Sequence, residues 1–185
     1  MELSQSLVAT KAGEYETQEP LYAVEQEQID LFGATIRDGE YGWRDVEWVV
    51  QWYYRRYLGG YPDEQRRDSE AAFRQNDFED VLDTLSATLE SDGPGAKLRR
   101  LRTLDGVDVP VGSAFLLFMY PSRYVVVGER GWGVLREAGE LSAPYPDTPS
   151  VETYLIYQDV CGELLERFGV DAWTLYRALW RLGKE

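Results

Sequence analysis

Four basic residues within six positions, Lys97, Arg99, Arg100 and Arg102, make the densest positive stretch of the chain. Gathered on one surface they would contact phosphates, and each contact would release counterions. The competing reading is pairing with surface carboxylates. Three residues further on, Asp105, Gly106, Val107, Asp108, Val109 and Pro110 read as a tight hairpin opening an apolar helix. Gly106 tolerates the positive φ such a hairpin needs. The hairpin amides and the helix N-terminus can face a phosphate without any side chain. Asp108 would repel that phosphate, so its expected role is to cap the helix. Later, Glu129 and Arg130 read as the acid and base at the start of a short helix.

The missing residue types exclude whole chemistries. There is no histidine, which removes Ser-His-Asp and Cys-His catalysis and every imidazole metal site. Cys161 is the single cysteine, so disulfides within the chain and four-cysteine metal sites are excluded as well. It falls on the apolar line of its helix and reads as an inert core thiol. No carboxylate pair or acidic cluster marks a metal site. Gly128, Gly131 and Gly133 do not follow a βαβ pattern, so no dinucleotide cofactor is expected. Any chemistry must use carboxylates, Arg, Lys, Tyr, Ser, Thr or backbone.

The elements that must hold these residues read as all-α. Residues 1–19 are polar with little periodicity and are expected to be a flexible tail. Residues 20–185 form one domain. Its helices are expected at 20 to about 37, 43–58, 63–75, 77–89, 96–104, 109–119, 129–138, 150–168 and 171–183. Residues 91–95, Ser-Asp-Gly-Pro-Gly, read as the clearest loop. Residues 124–127 are rich in valine and fit one short extended segment. Tyr41, Trp43, Trp48, Trp52, Tyr53, Tyr54, Tyr57 and Tyr61 crowd one region, as do Trp173, Tyr176 and Trp180 near the C-terminus. Core packing is the expected role of both groups; a base-stacking platform is the alternative for each.

Composition sets the surroundings. The chain has 185 residues and a formal net charge of −14, from 33 acidic against 19 basic residues. Only Lys11, Lys97 and Lys184 are lysines. High acid with little lysine resembles the composition of proteins from salt-loving archaea. A broad basic face is therefore absent, and any contact with nucleic acid must be local. The longest uncharged apolar run, 109–120, is too short to span a bilayer. The first residues lack a signal-peptide pattern, so the expected location is the cytoplasm.

Residues 97–135, KLRRLRTLDGVDVPVGSAFLLFMYPSRYVVVGERGWGVL, carry a resemblance. Leu104-Asp105-Gly106-Val107, then an apolar helix with Gly112, Ser113 and Ala114, then a proline turn, an apolar stretch, and Trp132 and Leu135 on a helix, resemble the helix–hairpin–helix DNA glycosylases. The resemblance implies DNA contact through hairpin 105–110. It also implies a lysine where this chain has Pro110, which cannot form a Schiff base, and an aspartate where it has Gly128. Glu129, one residue on, is the remaining catalytic candidate. If it acted, it would assist glycosidic cleavage of a flipped base. The resemblance therefore implies a nucleic-acid-binding protein on a glycosylase-like scaffold without glycosylase catalysis. The alternative is a module that has turned the same scaffold to an unidentified protein partner.

Overall fold

In the computed structural model, which describes residues 1–184, the chain is all-α. The described residues form ten helices: α1 (Gln5–Gln18), α2 (Tyr22–Asp38), α3 (Trp43–Arg55), α4 (Asp63–Phe73), α5 (Phe78–Glu90), α6 (Gly93–Leu101), α7 (Val109–Met119), α8 (Glu129–Glu137), α9 (Val151–Phe168) and α10 (Ala172–Leu182). No helix among the described residues is long and apolar enough to cross a membrane.

The hub is α7. Every residue from Val109 to Met119 is buried, which its unbroken apolar sequence requires. Helices α2, α3, α6 and α9 pack around it. Gly112 lets α6 cross closely, since a Cβ there would come within 2.6 Å of Leu98 Cδ1. Asp108 caps α7 as expected, accepting from Val111 N at 2.9 Å.

Residues 124–127 are buried and non-helical, yet no strand pairs with them among the described residues. Buried backbone groups need partners, and side chains supply them. Gln158 Oε1 accepts from Val125 N and its Nε2 donates to Arg123 O, at 3.0 and 2.8 Å. Ser113 Oγ accepts from Val127 N, and Tyr157 OH donates to Val126 O. The expected extended segment is thus a buried strap held by α7 and α9.

Two expectations are corrected here. Residues 1–19 are not a flexible tail: 5–18 form α1, which lies along α10. Its buried stripe is only Val8, Ala12 and Tyr15, too thin to register as periodicity. Much of its anchoring is polar. Arg177 pairs with Glu16 at 2.6 Å, and Arg181 and Lys184 reach Glu19 at 2.8 and 2.9 Å. The second correction concerns residues 91–95. Gly93, Pro94 and Gly95 are the first turn of α6, where proline's missing N–H costs nothing.

Candidate functional site

The hairpin has the geometry its sequence demands. Gly106 has φ +77°, and a Cβ there would collide with Ser69 O and come within 2.6 Å of Phe73 N. The collision partners belong to α4, which clamps the hairpin from one side. Ser69 Oγ donates to Gly106 O at 2.8 Å, and Asn76 exchanges two hydrogen bonds with the Asp105 backbone. Beside the clamp runs an open groove that includes Asp68, Asp105 and Asp108, with Arg102 as its one arginine. Three carboxylates against one guanidinium make a poor seat for a phosphodiester.

The expected basic patch is divided. Lys97 is 6% exposed and faces inward. Its Nζ donates to the carbonyls of Thr88 and Leu89, which end α5, at 2.8 and 3.1 Å, and to Tyr120 OH. It therefore caps a helix C-terminus, and its expected phosphate contact is withdrawn. Arg99 is exposed but pairs with Glu152 of α9 at 3.3 Å. Arg100 and Arg102 are exposed. Val107 and Val109 are buried and support the hairpin by packing.

Three other positions singled out in the sequence come together. Asp108, Pro110 and Glu129 line one pocket of about 330 Å3. Its walls are Tyr53 from the end of α3, Tyr57 and Tyr61 from the turn that follows, and Tyr145 with Asp147 from the loop before α9. The volume lies within the range of small-ligand sites. Tyr57 and Tyr61 are 5.1 Å apart between ring centres, and Tyr145 meets Trp132 edge-on at 5.7 Å. Trp132 is fixed in turn by donating Nε1–H to Ala143 O at 2.8 Å.

Burial keeps the hydroxyls of Tyr53, Tyr61 and Tyr145 protonated, so they are available as hydrogen-bond donors and not as bases. Burial pushes Tyr53 well above its ordinary value and Tyr61 up to about 12, and it raises Tyr145 as well. Loss of solvent also raises the Asp108 carboxyl, against the Val111 amide and the Arg102 charge, which lower it. Glu129 is exposed at the mouth. Hydroxyl groups, tyrosine rings packed edge-on or tilted, and carboxylate acceptors converge on one small volume. No group of three or more His, Cys, Asp or Glu that could hold a metal occurs among the described residues. Cys161 is fully buried and its thiol is pushed far up, so it is inert.

Behind the pocket lies Arg56, 4% exposed and ringed by Trp52, Tyr53, Tyr57, Tyr176 and Trp180 at 4.3 to 5.6 Å from their ring centres. Sequence reasoning missed it because the pair Arg55-Arg56 reads as surface charge. Its signal was the aromatics at i−4, i−3 and i+1. Tyr145 and Asp147 carried no signal, because they sit in an aperiodic proline-rich loop. No family model matches the chain, and neither does any curated protein or solved structure.

Proposed function

We propose that this chain binds a nucleobase in the tyrosine pocket, and that the base is presented as an unstacked residue of a nucleic acid. The observation that carries the reading is the convergence of Tyr53, Tyr57, Tyr61 and Tyr145 with Asp108, Pro110 and Glu129 around about 330 Å3. Stacking a base on an aromatic side chain contributes about 1–3 kcal/mol. Carboxylates at the mouth accept from exocyclic amines and ring N–H groups, and tyrosine hydroxyls serve ring nitrogens and carbonyls. This likeness to a flipped-base site agrees with the helix–hairpin–helix resemblance of residues 97–135.

The backbone contribution in this reading is small. Arg100 and Arg102 are the exposed bases near the hairpin, and the groove beside it is acidic. Cleavage is not part of the proposal: Pro110 occupies the position where the resemblance implies the lysine, and Glu129 is the one carboxylate retained as a catalytic candidate. A protein partner draws little support from the exposed apolar side chains. Val24 and Leu31 share a face of α2, two turns apart, and Met1, Leu58 and Ile156 lie elsewhere in the chain.

The test is fluorescence anisotropy with labelled single-stranded and duplex oligonucleotides, with free nucleosides as competitors. The proposal expects saturable binding, preferring single strands, with a salt slope of about −0.7 to −1.4 for one or two phosphates. Arg100→Glu should flatten that slope. Direct calorimetric binding of nucleosides, with no oligonucleotide affinity, would retain the base pocket and replace the polymer by a free base or nucleoside. No binding in any arm by folded protein would end the reading.

A further inference from the structure

Two arginines meet behind Gly128 with no acid in contact. Arg56 spends Nε on Tyr53 O at 2.9 Å and Nη1 on Tyr176 OH at 3.3 Å. Its Nη2 has no hydrogen-bond partner among the described residues and is directed at Gly128, where a Cβ would lie 3.5 Å away. Arg130 stands beside it, 4.9 Å from the Tyr57 ring centre and 4.4 Å from that of Trp180. Arg56 contacts the same two rings, at 5.2 and 4.9 Å. Arg130 Nη1 is buried without an acceptor.

The rings cover the faces of these guanidiniums, which is what a cation–π contact satisfies. They leave the N–H edges unserved, and a buried donor without an acceptor is costly. Two like charges also sit close together in a surrounding of low polarity. Glu25 feels the Arg56 charge but makes no salt bridge to it; its two oxygens accept from Trp52 Nε1 and Tyr15 OH, at 2.7 Å each.

A third feature points to the same place. Helix α8 starts at Glu129 with Gly128 as its N-cap, so no side chain caps its first amides. Positive partial charge gathers there. Arg56, Tyr57, Gly128, Arg130 and Gly131 enclose a free space the size of one water molecule.

We propose that Arg56, Arg130 and the N-terminus of α8 bind a single monatomic anion, a halide of chloride size. The space is too small for phosphate or sulfate, whereas a chloride, slightly larger than a water molecule, enters with a small outward shift of the half-buried Arg130 side chain. A halide accepts several N–H groups at once and cancels charge, which water does not. Bound there, it would tie the end of α3 to α8 and α10 and brace Tyr57, a wall of the base pocket. The site does not depend on that pocket's ligand.

The test is thermal unfolding of the full chain in potassium chloride and in potassium gluconate at equal ionic strength. The expected result is a saturable chloride-specific rise in Tm, roughly 5–10 °C at a hundredfold excess over Kd. Arg130→Gln should abolish that increment. A crystal grown in bromide should show an anomalous peak between the two guanidiniums, and it decides the matter if the variant does not fold. Equal Tm in the two salts, an undiminished increment in Arg130→Gln, or no bromide peak would overturn the proposal.

Discussion

At Asp108 two functions compete for one carboxylate. Oδ1 caps α7, while the side chain also faces the pocket. Its proton affinity is raised in the fold. Between the ordinary aspartate range and that raised value, the folded chain therefore holds a proton the unfolded chain has lost. Stability falls as pH rises through this window and is level above it. Glu25, raised by burial, acts in the same direction. Asp108→Asn keeps an acceptor for Val111 and removes the charge. It should gain stability at neutral pH, by less than about 1 kcal/mol given solvent screening. Asp108→Ala should lose about 1 kcal/mol with the cap. Urea unfolding at pH 4 and pH 7 checks both, and the Asn gain should vanish at the lower pH. At Gly106 any side chain meets both a left-handed φ and the α4 backbone. Gly106→Ala should cost at least about 2 kcal/mol by the same assay.

At the scale of elements, strong periodicity and punctuation were legible. Helix α7 was recognised from its apolar run, α9 from Ser150 with Tyr154, Tyr157, Cys161 and Leu164, and the end of α2 from Gly39. Helix α1 was not legible, because its place depends on ion pairs with residues more than 160 positions away. The candidate site was legible in halves. Asp108, Pro110 and Glu129 were singled out, and the aromatics of α3 were noticed but assigned to packing. Their convergence depends on how α3, α7, α8 and the loop before α9 meet. Lys97 was misplaced because local charge density does not report which way a side chain turns.

Two tests belong to the same scale. Gln158 holds both the Val125 amide and the Arg123 carbonyl of the buried strap. Gln158→Leu strands both, and should cost about 2–5 kcal/mol in urea unfolding. Glu19 joins α1 to α10. Burial raises its carboxyl, but hydrogen bonds from Lys184 and Arg181 outweigh that and leave it lowered. Its contribution is complete above the ordinary glutamate range and is lost as pH falls through the lowered value. Amide protection in α1, taken relative to the intrinsic exchange rate at each pH, should therefore fall on acidification, and in Glu19→Gln it should already be low at neutral pH.

For the whole molecule, the net charge of −14 sets the background against which every local site works. Self-repulsion weakens the compact state and screening relieves it, since the Debye length falls from about 30 Å at 0.01 M salt to about 3 Å at 1 M. The same field discourages a polyanion from spreading over the surface. In the proposed reading recognition is concentrated in the tyrosine pocket, whose charged groups Asp108, Glu129 and Asp147 are all acidic, with few phosphates engaged. Arg56 and Arg130 invert the field locally, behind Tyr57.

The most direct test of the base pocket is calorimetric titration of the full chain with the common nucleosides, comparing wild type with Tyr145→Ala. Tyr145 does not line the small space beside Gly128, so this variant leaves the residues of the inferred anion site in place. The account predicts one-to-one binding of at least one nucleoside, weakened tenfold or more in the variant, in line with about 1–3 kcal/mol for a lost stacking partner. No heat with any nucleoside, or equal affinity in the two proteins, would contradict it.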